Sequence, residues 1–287
     1  MSNLSAKARH SLDSGKLIGM SLLGEHEIER AAAFVAGFGF QAMEVFHGQI
    51  GPALIPVAIT ETHAAWAGEV VRAAGLQVST LNCAGHPAFD PHGGEEAERA
   101  SATALAEQLR WAAAMGSPRV LIWDGIAREP AVVDRAATTL ARVIGRALED
   151  CRLPDPPDIS IELHPFTFAL EQRRLDDLAA ALVPLQAGIC LDFCHFAVAL
   201  GPGFIDEVSD RVLDTVNHIH YSDSDATTSE FHIPPGLGVL DLDRITDRLR
   251  GRGLSAAWDL FCWPGPERAI RTYLPAYAEF VRNQTSA

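Results

Sequence analysis

The sequence predicts an α/β fold, a single (β/α)8 barrel, from three observations. Eight short β-rich runs alternate with helical patterns, no glycine-rich dinucleotide turn follows the first run, and 287 residues suit one closed barrel. The strand candidates in order are 17–23 (LIGMSLL), 41–46 (QAMEVF), 77–83 (QVSTLNC), 119–124 (RVLIWD), 158–164 (DISIELH), 187–192 (AGICLD), 216–221 (VNHIHY) and 256–261 (AAWDLF). Between and after them run EIERAAAFVAGFG, EEAERASATALAEQLRWAAAMG, VVDRAATTLARVIGRALED, LDRITDRLRGRG and ERAIRTYLPAYAEFVRNQ, with apolar residues three and four apart, as in amphipathic helices. Repeated β-then-α units imply parallel strands, and eight of them close a barrel. A doubly wound open sheet is the alternative, but the SLLGEHE turn after the first strand holds one glycine and no G-x-G-x-x-G.

No linker divides the chain. The LPDPPD cluster at 153–158 ends a helix and sets up an extended approach to the fifth strand. Residues 1–16 read as a flexible N-terminal segment without the apolar run of a signal peptide, and 17–287 as the barrel domain. No stretch is long and apolar enough to span a bilayer, so the cytoplasm is the expected location. With 48% hydrophobic and 21% charged residues, the composition is that of a globular protein, and the formal charge of −14 argues against a nucleic-acid partner. Cys83, Cys151, Cys190, Cys194 and Cys262 form no C-x-x-C pair and read as reduced thiols, mostly buried. Surface helices of a barrel often pair, so a homodimer or homotetramer is expected.

In a parallel barrel, the C-terminal ends of the strands build the site, and alternate side chains face inward. In the fifth strand Ile159, Ile161 and Leu163 fall on the helix side, which leaves Ser160, Glu162 and His164 inward. The sixth strand turns Gly188, Cys190 and Asp192 inward, and the seventh turns His218 and His220 inward. Three consecutive strands thus deliver Glu162, Asp192 and His220 to one rim. Oxygen and imidazole donors converging in this way suit Mn²⁺, Mg²⁺, Co²⁺ or Zn²⁺, and the lack of thiolates argues against a purely structural zinc.

These segments resemble the xylose isomerase-like TIM barrel superfamily, which includes sugar isomerases and epimerases, inosose dehydratases, dehydroshikimate dehydratase and endonuclease IV. The resemblance rests on ISIELH with Glu162, ICLDFCH with Asp192 and His195, VNHIHYSDSD with His220, and PPGLGVLDLDRI before the last unit. It implies that Glu162, Asp192 and His220 ligate a divalent cation, Mn²⁺ first, and that His195 reaches the substrate or a second metal. One departure stands out. Where the similar isomerases end the eighth strand with a glutamate that is both ligand and second acid/base, this chain reads AAWDLFCW, with Phe261 at that position. Asp259, two residues earlier, is the candidate replacement ligand.

The expected function is therefore a metal-dependent sugar isomerase or epimerase that works on a keto-sugar, sugar phosphate or cyclitol through an enediolate. Glu162 is the expected proton carrier, with His195 and His164 as further catalytic groups; His86 is another candidate acid. Phe261 raises the weight of one-base chemistry, so a dehydratase of the inosose or dehydroshikimate type is the alternative. A non-catalytic sugar-binding barrel or subunit is a third reading. Substrate contacts are expected from Glu44, His86, Trp123, Asp124, His195 and Trp263, although packing is the commoner role for either tryptophan. Glu230 and His232, in SEFHIPPG, have a spacing similar to that at the third metal site of endonuclease IV, but read here as an exposed loop.

Overall fold

Short aliphatic and β-branched runs, each closed by turn formers, produce eight parallel strands, and the computed structural model describes residues 19–21, 27–50, 59–86, 89–185 and 187–285. The strands are β1 (Gly19–Ser21), β2 (Ala42–Phe46), β3 (Gln77–Asn82), β4 (Arg119–Trp123), β5 (Asp158–Glu162), β6 (Ala187–Asp192), β7 (Val216–Tyr221) and β8 (Ser255–Asp259). They form a closed barrel in sequence order, and β8 returns to β1 with Gly19 opposite Ala257 and Ser21 opposite Asp259. The helices among the described residues are α1 (Ile28–Gly37), α2 (Glu61–Ala73), α3 (Glu95–Met115), α4 (Pro130–Asp150), α5 (Phe168–Glu171), α6 (Leu175–Leu182), α7 (Phe193–Leu200), α8 (Phe204–Glu207), α9 (Asp210–Thr215), α10 (Leu242–Leu249) and α11 (Pro266–Thr285). The expected segment 1–16 lies outside the described residues.

Local chemistry explains where the helices start and stop. Glu95, Glu96 and Glu98 in the first turn of α3 face its positive dipole end, and Gly116 closes it at φ +83°, which only glycine adopts without strain. Pro130 opens α4, where its missing N–H costs nothing. The side chains of Asp192, Ser209 and Asp241 cap α7, α9 and α10.

The alternation read from the sequence is visible in the packing. Ile159, Ile161, Ile189, Leu191, Ile219 and Tyr221 belong to the apolar core. Each such aliphatic side chain contributes on the order of 1.5–3 kcal/mol on burial. No helix among the described residues is long and apolar enough to cross a membrane.

Several strands end earlier than their apolar runs suggest, because side chains take over the backbone hydrogen bonds. β5 stops at Glu162 rather than at 164, since Thr167 Oγ1 accepts from the His164 N–H at 3.0 Å and turns the chain. β8 spans Ser255–Asp259 rather than 256–261, since Asp259 Oδ1 accepts from the Phe261 N–H at 2.8 Å. Between β6 and β7 the register slips after Ile189, and Asn217 reaches across Gly188 to Ser160 (2.6 Å). A Cβ at Gly188 would lie 2.6 Å from the Thr215 carbonyl oxygen, so only glycine fits there.

Candidate metal centre

Glu162 and Asp192 end β5 and β6, and His220 lies one residue before the end of β7. Pairing of Asp192 with His220, and of Glu162 with Cys190, brings the three side chains together. His220 Nδ1 is 2.8 Å from Glu162 Oε1 and 3.4 Å from Asp192 Oδ2. Each of the three offers a donor atom within 4.8 Å of the others, and all are buried. Asp192 divides its carboxylate: Oδ1 accepts from the His195 N–H at 2.9 Å and caps α7, while Oδ2 faces the site with no hydrogen-bond partner.

The residues fit a divalent cation. Two carboxylate oxygens facing a ring nitrogen concentrate negative charge, which a proton or a metal must offset. Burial opposes a charged His220, yet its negative partners, Glu44 and Glu162 among them, hold the ring well above the usual histidine range. Burial likewise opposes ionisation of Glu162 and Asp192, but the neighbouring histidines keep both carboxyls below the usual range. A cation held here would take the place of the proton on His220, and a nitrogen and oxygen set without thiolate suits Mn²⁺, Co²⁺ or Zn²⁺.

Around this trio stand three more buried histidines, 5%, 1% and 2% exposed at His164, His195 and His232. None of their six ring nitrogens makes a well-formed hydrogen bond, an unusual number for buried polar groups. His164 and His195 pack with ring centroids 4.0 Å apart. Their protonation is set differently. Burial lowers His164, but Glu162 and Glu230, each 3.5 Å from a ring nitrogen, outweigh it and raise the ring to about 9. Burial takes His195 down to about 4 despite Asp192. Two further donor groups result, Glu162 with His164 and His195, and Asp192 with His195 and His232.

A family model described as "Xylose isomerase-like TIM barrel" matches residues 32–277. The chain belongs to this family. No curated protein sequence is significantly similar to it. Solved xylose isomerase-like barrels share its fold at low identity. Endonuclease IV from Thermus thermophilus superposes with a TM-score of 0.63 at 20% identity, covering 92% of this chain and 97% of that one. The IolI protein, whose structure contains a bound zinc atom, gives 0.70 at 17%, covering 94% and 99%. D-psicose 3-epimerase from Clostridium cellulolyticum, solved with D-tagatose, gives 0.66 at 14%, covering 94% and 99%.

Within this xylose isomerase-like framework, the other expected site residues fall into two groups. At the pocket, Trp123 packs on His164 (4.4 Å between centroids) and on Phe166, and the exposed His86 stacks on His47 at 4.5 Å. Trp263 stacks on Phe231 at 5.2 Å, on the loop that leads to His232. The others are buried and engaged by neighbouring protein groups. Glu44, expected at the rim, is fully buried, with Oε2 3.1 Å from His220 Nε2, because its strand position lies one layer deeper. Asp124 is fully buried as well; its Oδ2 accepts from the Ala169 N–H at 2.8 Å and ties down the loop that carries His164. Asp259, expected as a ligand, lies 3.8 Å from His220 Nδ1 but 3.2 Å from His232 Nδ1, with its other oxygen on the Phe261 N–H.

His232, which the sequence places on an exposed loop, lies instead inside the site. Its loop is held by Asp223, whose carboxylate accepts N–H bonds from Ser224, Gly236, Gly238 and Leu240. The His232 N–H then donates to the Phe261 carbonyl at 3.2 Å, and its ring turns toward Asp259 and Asp192. The D-S-D and P-P-G-L-G segments around it are the sequence signal of such an anchored loop. Cys83, Cys151, Cys190 and Cys194 are buried free thiols, and Cys262 is exposed.

Proposed function

We propose that the protein is a metal-dependent isomerase that moves a proton between adjacent carbons of a sugar or cyclitol bearing a carbonyl next to a hydroxyl. The observation that carries this reading is the divided carboxylate of Glu162. Its Oε1 lies toward His220, while Oε2 lies toward His164 at 3.5 Å. A divalent cation held by Glu162, Asp192 and His220 supplies Lewis-acid polarisation of the carbonyl and hydroxyl oxygens. The chain's own residues do the rest. Glu162 Oε2 takes the carbon-bound proton on one carbon and returns it to the next, and the imidazoles of His164 and His195 shuttle the oxygen-bound proton. Trp123 and Phe166 wall the pocket on one side and exclude water from the reacting face.

A dehydratase is the second reading, and one observation favours it. Asp259, the candidate second base for two-base epimerisation, is instead engaged by His232 and by the Phe261 N–H. One base and the His164 imidazolium suffice for loss of water.

Two measurements separate the cases. Wild-type protein should bind Mn²⁺ tightly, while Glu162→Gln combined with His220→Ala should not; equal binding by both would sink the metal reading. In deuterium oxide, incorporation into ketoses or inososes with retention of formula identifies the isomerase, and loss of water identifies the lyase.

A further inference from the structure

The His220 ring has a second edge. Its Nε2 lies 3.1 Å from Glu44 Oε2, and the same oxygen lies 3.3 Å from His218 Nε2. All three side chains are fully buried. We propose that Glu44 is the positioning residue of the metal centre: its carboxylate holds His220 as the Nε2–H tautomer and thereby presents Nδ1 to the cation. This rests on the reading of His220 as a ligand.

The hydrogen-bond chemistry leaves one self-consistent arrangement. An ionised carboxylate only accepts, so the ring nitrogens of both His218 and His220 that face Glu44 carry hydrogen. His218 Nδ1 is then an acceptor, and the Ser255 hydroxyl, 3.1 Å away, donates to it. The Glu44 carboxylate is itself locked. Asn82 Nδ2 donates to its other oxygen at 2.8 Å, and Asn82 Oδ1 accepts from the Ala84 N–H at 2.9 Å, which fixes the orientation of the Asn82 amide. Arg119, also buried, supplies opposite charge within the field of Glu44. Such a carboxylate on the far nitrogen of a ligating histidine orients the ring and raises its basicity, and losing it typically weakens metal binding ~10–100-fold.

The alternative is that Glu44 merely glues β2 to β7, and the test separates the two. Histidine-labelled protein loaded with Zn²⁺ is examined by long-range ¹H–¹⁵N correlation. Wild type should show hydrogen on Nε2 of His220 and of His218; hydrogen on Nδ1 of His220 overturns the proposal, and this measurement needs no variant. Mn²⁺ affinity is then measured by equilibrium dialysis for wild type and Glu44→Gln. The expected result is binding weaker by about 10–100-fold in the variant, measured under conditions where its circular-dichroism spectrum shows the metal-free variant folded. Affinity within twofold of wild type overturns the role of Glu44 while leaving the metal centre intact. Wild-type protein that binds no divalent cation removes the metal centre, and this proposal with it.

Discussion

Asp124→Asn tests how the loop bearing His164 is held. Asp124 is fully buried, and burial raises its carboxyl from an ordinary 3.8 to about 7, outweighing the hydrogen bonds from Thr167 and Ala169. Because the folded value lies above the unfolded one, the protonated form stabilises the fold: that contribution is complete below about pH 4 and is lost as the pH rises to about 7. Asparagine keeps the acceptor for the Ala169 N–H but cannot ionise. Two pH units separate 5 from 7, so at ~1.4 kcal/mol per unit the variant should gain about 3 kcal/mol on wild type between pH 5 and pH 8. Other carboxylates titrate alike in both proteins and cancel. Urea unfolding followed by circular dichroism at both pH values measures the difference. If the stability gap between the two proteins is the same at pH 5 and pH 8, Asp124 is not held in the way described.

Three further outcomes are expected. Asp223→Ala removes the acceptor of four backbone N–H groups, and should cost about 3 kcal/mol and open the segment 224–240 to limited proteolysis. Gly188→Ala drives a methyl group into Asn217 and the Thr215 carbonyl, and should lower stability by ~1–3 kcal/mol, read from the urea midpoint. Mn²⁺ at a hundred times its dissociation constant should stabilise the protein by about 2.7 kcal/mol, seen as a rise in melting temperature that Glu162→Gln abolishes.

The parts of this molecule that were legible in the sequence are those governed by local periodicity. β6 and β7 occupy the residues that their apolar alternation indicates, and the same alternation places Glu162, Asp192 and His220 together. Depth along the barrel is a different matter. Glu44 and His220 both project inward, but which one faces the mouth depends on the stagger between β2 and β7, a property of the closed sheet rather than of either strand. Strand ends were legible only to within a residue or two, since Thr167 and Asp259 divert backbone groups from the ladder through side-chain bonds. His232 was the least legible. Its burial follows from the Asp223 anchor, which acts across thirteen to seventeen residues and has no periodic signature.

Asp192 joins the candidate metal centre to a helix through a single carboxylate: one oxygen holds the first turn of α7 and the other faces His220. A cation held by Oδ2 would pull on the same carboxylate whose Oδ1 accepts from the His195 amide. That amide would then serve as a gauge of occupancy. Its exchange with solvent deuterium would record whether the centre is filled, without any substrate.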